Sequence, residues 1–128
     1  MLDSVRQELR RRVKSFQFAI QGWSYVMRTQ KNAWIHAVAS LAVFAIGLWL
    51  GLSRTDWAML ILTIAMVWMA EFMNTALEAI VDMTQPEPHP LAKVAKDVSA
   101  AAVLLGACAA VLVGLIILGP PMWQRLFG

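Results

Sequence analysis

The sequence predicts an all-α integral membrane protein: an N-terminal amphipathic surface helix followed by three transmembrane helices. Three observations carry this. Of the 128 residues 59% are hydrophobic and only 15% charged, with a mean hydropathy of +0.61, outside the averages of soluble domains. Three apolar runs approach the roughly 20 residues that cross a bilayer as helix. A basic, periodically apolar segment precedes the first of them. The chain reads as one domain, 1–128, with the surface helix at 1–31 and spans at 33–52, 57–81 and 98–119.

In the first segment Val5, Leu9, Val13, Phe16, Ile20, Trp23 and Met27 recur at helical spacing, with basic side chains between them. Such a helix lies on a leaflet, its cations held by anionic lipid at roughly 1 kcal/mol each. No small-residue cleavage site follows a short apolar core, so the first span is expected to stay in the mature chain.

Arg6, Arg10, Arg11, Arg12, Lys14, Arg28 and Lys31 precede that span, against Asp3 and Glu8. The positive-inside rule then makes the N-terminus cytoplasmic. The turn 52–56 falls outside, the linker 82–93 inside and the C-terminus outside. Trp34 sits at the expected inner boundary and Trp49, Trp57 and Trp123 at the outer one, as aromatic belts do. Pro86, Pro88 and Pro90 force the linker into a short extended turn. The single Cys108 lies among small apolar residues and supports no disulfide.

The second span ends in AEFMNTALEAIVD (70–82), where Glu71, Asn74, Glu78 and Asp82 fall on one helical stripe. Ionisable groups inside a span are costly and normally face protein or a wet cavity, marking function. The competing reading is that they merely hold helices together by hydrogen bonds. Counting about 1.5 Å per residue from Trp57, Glu71 lies about 21 Å in and Glu78 about 32 Å, both in the cytoplasmic half. Lys96 and Asp97 open the third span on that side, and Gln30 and Asn32 stand at the foot of the first.

Carboxylates and amides with no thiol or imidazole partner suit Mg²⁺, which takes one or two carboxylates and completes its shell with phosphate and water. Phosphoryl transfer needs such a cation, Lys or Arg on the phosphates and a carboxylate for the proton of the attacking hydroxyl. Zinc is unsupported, because His36 and His89 are unaccompanied. Neither GxxxxGK[ST] nor GxGxxG is present, so no soluble-type nucleotide fold is indicated. No nucleic-acid partner is expected.

EFMNTALEAIVD (71–82) and AKDVSAAAV (95–103) resemble the signature segments of the small prokaryotic diacylglycerol kinase family, which includes the undecaprenol kinases. The resemblance runs from about Arg11 to Gly114 and takes in SFQFAIQG (15–22), NAWIH (32–36) and EPHPLAK (87–93). It implies a homotrimer in the bacterial cytoplasmic membrane, with its active site at the cytoplasmic face. The activity implied is transfer of the γ-phosphate of MgATP to a membrane lipid hydroxyl, and the linker resembles undecaprenol kinases more than Gram-negative diacylglycerol kinases. Glu71 would be the general base, Glu78 a magnesium ligand and Asn74 a support beside them. Lys96, Asp97, Glu87, His89, Arg11 and Phe18 would contact ATP. Ser15, Ala19, Asn32, Trp49, Glu71 and Ala100 would line the lipid path.

One position departs from the pattern: Gln30 stands where the family carries a second metal-binding glutamate. An amide oxygen still ligates a hard cation but brings no charge. Gln30 is therefore a working or water-mediated ligand, an engineered replacement, or the mark of a catalytically silent member that binds lipid or nucleotide.

Overall fold

The computed structural model describes residues 2–128, with side chains described from Val5 onward. Four helices follow one another: α1 (Leu2–Thr29), α2 (Lys31–Leu50), α3 (Arg54–Thr84) and α4 (Pro90–Phe127). The last three are long and apolar enough to cross a membrane.

The helices do not begin and end where the expected spans do. α2 stops at Leu50 because Gly51 turns left-handed at φ 67°, and its N–H bonds back to the carbonyls of Gly47 and Leu48. Residues 51 and 52, expected in the span, thus belong to the turn. α3 starts at Arg54 behind a capping box in which Ser53 and Asp56 satisfy each other's backbone N–H groups. At about 1.5 Å per residue α3 and α4 run roughly 46 and 57 Å, beyond the ~30 Å of hydrocarbon, so the apolar spans are only their inner parts. Much of the expected linker is therefore helix, and only residues 85–89 are not. Pro90 begins α4, where its missing N–H costs nothing, and His89 caps it by accepting from Leu91 N–H.

α3 is the axis of the molecule: it packs most extensively on α4 and also touches α1 and α2. In α1 the apolar residues Val5, Leu9, Val13, Phe16 and Ile20 are exposed. Only its C-terminal part docks. Trp23 stacks on Trp68 of α3 at 4.8 Å and meets Phe72 at 5.0 Å, and Val26 is buried with Ala33 and Trp68. Between α1 and α2 the helical path breaks at Gln30 alone, in extended conformation at φ −104° and ψ 113°. Trp34 bridges the break by donating from Nε1 to the Met27 carbonyl at 3.0 Å.

Candidate active site

The break at Gln30 aims its side chain at α3, where Gln30 Nε2 donates to Glu78 Oε2 at 3.0 Å. One turn back, Asn74 Nδ2 donates to Glu78 Oε1 at 3.2 Å. Asn74 Oδ1 in turn accepts from Ser99 Oγ of α4 at 2.6 Å. Ser99 Oγ also lies 2.9 Å from the Lys96 carbonyl. Its single proton goes to the nearer acceptor, Asn74. A hydrogen-bonded line thus runs Gln30–Glu78–Asn74–Ser99 and joins the α1–α2 break, α3 and α4.

The helical spacing read from the sequence accounts for the middle link of the line: Asn74 and Glu78 are four apart and so face the same way. The next member of the stripe, Asp82, pairs with Lys96 of α4. Glu71, the first, is turned inward and is 1% exposed. His36 Nε2 of α2 lies 3.0 Å from Glu71 Oε1. That approach is out of hydrogen-bonding alignment, and Glu71 Oε1 has no hydrogen-bond partner among the described residues.

Beyond Asp82 a cleft of about 550 Å³ opens under the 85–89 turn, lined by Asp82, Glu87, His89, Lys93 and Lys96 among others. Three of the residues expected to contact ATP, Glu87, His89 and Lys96, therefore share one cavity. Asp97 is exposed and pairs with Lys93. Arg11 and Phe18 are on the exposed part of α1, away from the line.

The residues expected along the lipid path are dispersed. Ser15 is exposed and donates to the Arg11 carbonyl, and Asn32 and Ala100 are exposed on α2 and α4. Ala19 borders a cavity between α1 and α3 with Trp23, Phe72 and Thr75. Trp49 is at the other end of α2, with the Arg125 guanidinium 5.6 Å over its ring. That is roughly 20 Å along the helix from His36. Two residues of the site carried no earlier assignment, Ser99 and His36. Ser99 sits inside AKDVSAAAV, one turn after Lys96; His36 offered no spacing relation to Glu71, because the two meet only when α2 packs on α3.

Gln30 and Glu78 are adjacent enough to hold one cation, provided the Gln30 amide turns its oxygen inward in place of its N–H₂. Among the described residues no group of three or more His, Cys, Asp or Glu could hold a metal. The donor set therefore fits a cation arriving with phosphate oxygens of its own, as magnesium does with a nucleotide, rather than a resident structural metal.

The profile of the prokaryotic diacylglycerol kinase family matches residues 17–118. The chain is 46% identical over 109 residues to a diacylglycerol kinase of Synechocystis, covering 84% of this chain but 62% of that protein's length. It is 39% identical over 117 residues to the undecaprenol kinase of Bacillus subtilis, covering 91% of this chain and 95% of that one. With the diacylglycerol kinase of Escherichia coli K12 it shares 33% identity over 110 residues, 80% of this chain and 90% of the other. Both names denote lipid kinases. A match of this extent, on a membrane chain whose polar side chains gather along α3, means that the protein belongs to the prokaryotic diacylglycerol kinase family.

Proposed function

We propose that the protein transfers the γ-phosphate of MgATP to the hydroxyl of a membrane lipid, undecaprenol in preference to diacylglycerol, at the cytoplasmic face of the bacterial cytoplasmic membrane. The observation that carries this reading is the line Gln30–Glu78–Asn74–Ser99, with the buried Glu71 two turns deeper than Glu78. A polar line from the α1–α2 break across two membrane helices, with a carboxylate oxygen that has no partner among the described residues two turns deeper on α3, is the arrangement expected where a lipid hydroxyl meets a soluble phosphate donor.

In the reaction the lipid hydroxyl oxygen forms a bond to the γ-phosphorus while the bond from that phosphorus to its bridging oxygen breaks. The hydroxyl proton goes to Glu71, and the electron pair of the broken bond leaves on ADP. Glu78 and the Gln30 amide oxygen would hold magnesium, which when bound neutralises phosphate charge. Asn74 keeps Glu78 oriented. Lys96, Asp97, Glu87, His89, Arg11 and Phe18 bind ATP, Lys96 and Arg11 through its phosphates. Ser15, Ala19, Asn32, Trp49 and Ala100 guide the lipid. The working form is a homotrimer with α1 on the inner leaflet; a mass measurement in nanodiscs tests it.

The undecaprenol preference draws support from the linker EPHPLAK (87–93), which resembles undecaprenol kinases more than Gram-negative diacylglycerol kinases. Phosphate transfer from labelled ATP, with undecaprenol and diacylglycerol presented separately in nanodiscs, tests both levels. Higher kcat/KM for undecaprenol is expected. A preference for diacylglycerol overturns the lipid assignment. Transfer to neither leaves the silent, ligand-binding reading that Gln30 suggests.

A further inference from the structure

Glu71 is the most deeply buried large side chain of the described residues, and its Oε1 lacks a hydrogen-bond partner. A carboxylate oxygen withdrawn from water is costly to leave unmet. The group nearest to meeting it is His36 Nε2, at 3.0 Å. His36 is itself well seated. Its carbonyl accepts from Ser40 Oγ at 2.7 Å, Ser40 Oγ accepts from Trp68 Nε1 at 3.3 Å, and its ring meets Trp68 edge-on at 6.4 Å. Only 15% of its side chain is exposed, and that part faces an apolar groove of about 410 Å³ between α2, α3 and α4, bordered by Ser40, Leu60, Thr63 and Val67. His36 therefore stands between the groove and the carboxylate.

We propose that His36 is a positioning residue for phosphotransfer: its Nε2–H, brought into line by a small turn of the ring, holds Glu71 Oε1 so that Oε2 faces the lipid hydroxyl. The inference rests on Glu71 being the base. A carboxylate fixed at one oxygen keeps a single orientation, and misplacement of a reacting group by about 1 Å can cost about a hundredfold in rate. A histidine serving only to fill space between α2 and α3 would not act through its Nε2.

Gln and Asn separate these roles, because the Gln amide nitrogen reaches where His Nε2 lies whereas the Asn amide stops near Nδ1. His36→Gln should keep kcat within about threefold of wild type, and His36→Asn and His36→Leu should lose about tenfold or more in kcat with KM for MgATP unchanged. Glu71→Gln, measured beside them, should abolish transfer. Equal kcat for His36→Gln and His36→Asn overturns the positioning role even if His36→Leu fails to fold. So does a rise in KM for MgATP without loss of kcat. Full activity in Glu71→Gln removes the base assignment and the His36 role with it, whereas an inactive Glu71→Gln beside a fully active His36→Asn removes the His36 role alone.

Discussion

Gln30 Nε2 and Glu78 Oε2 meet at 3.0 Å, which ties the one-residue break between α1 and α2 to the polar stripe of α3. An amide there satisfies Glu78 without a cation. A carboxylate would not, and this sets the sign of the first prediction.

Gln30→Glu should tighten magnesium-nucleotide binding about fivefold, on the order of 1 kcal/mol, because a charge-assisted contact is roughly twice as strong as a neutral one. Without metal the same change sets two carboxylates against each other and should lower the unfolding temperature. Titrating magnesium at saturating ATP and lipid, with thermal unfolding in detergent with and without MgATP, reads both effects. An unchanged half-saturating magnesium concentration would put Gln30 outside the coordination sphere.

Glu71→Gln and Glu78→Gln should fail differently. The first should abolish transfer with nucleotide binding nearly intact, since Glu71 is buried against His36 away from the linker cleft. The second should weaken MgATP binding as well, since Glu78 meets Gln30. Equilibrium MgATP binding beside turnover separates them, and wild-type turnover in both would dismiss the stripe as the active site.

Ser99→Ala removes the hydroxyl that donates to Asn74 Oδ1 and leaves a buried acceptor unmet. The cost should be about 1 kcal/mol, toward the lower end of the range for such groups, because polar pairs between membrane helices are individually weak. With Asn74 free to rotate, Glu78 loses one of its two partners and keeps only Gln30, and KM for MgATP should rise several-fold. Ser99→Thr, which keeps the hydroxyl, is the control; MgATP binding in Ser99→Ala as tight as in wild type would mean that Asn74 is held without Ser99.

Gly47→Ala should destabilise the turn end of the molecule without touching catalysis. A Cβ at Gly47 would lie 2.8 Å from Trp57 Cη2 and 3.1 Å from Leu52 Cδ1, and Trp57 is pinned by stacking on Phe44 at 5.5 Å. Such overpacking costs about 1–3 kcal/mol. Trp57→Phe should recover part of that loss in a double-mutant cycle of thermal stability. Transfer rates should be unchanged, since Gly47 is roughly 16 Å along α2 from His36; additive losses in the cycle would place the strain elsewhere.

The sequence by itself determined the membrane class, the number and order of helices, and which face of the second span is polar, because each depends on composition and on spacing within one helix. Glu71, Asn74, Glu78 and Asp82 share a stripe by the 100° step alone, and the Asn74–Glu78 bond between neighbours on one helix needs nothing else. Proline placement fixed where the linker turns, but not how far the flanking helices extend: capping by His89 and the left-handed Gly51 depend on local geometry that hydropathy does not register. Only the tertiary structure decided which partners the stripe meets. Gln30 with Glu78, Ser99 with Asn74 and His36 with Glu71 lie 48, 25 and 35 positions apart. Each pair forms because α2 and α4 pack on α3 at one particular rotation, and that rotation is set by side-chain packing between helices, to which no periodicity within a single helix refers.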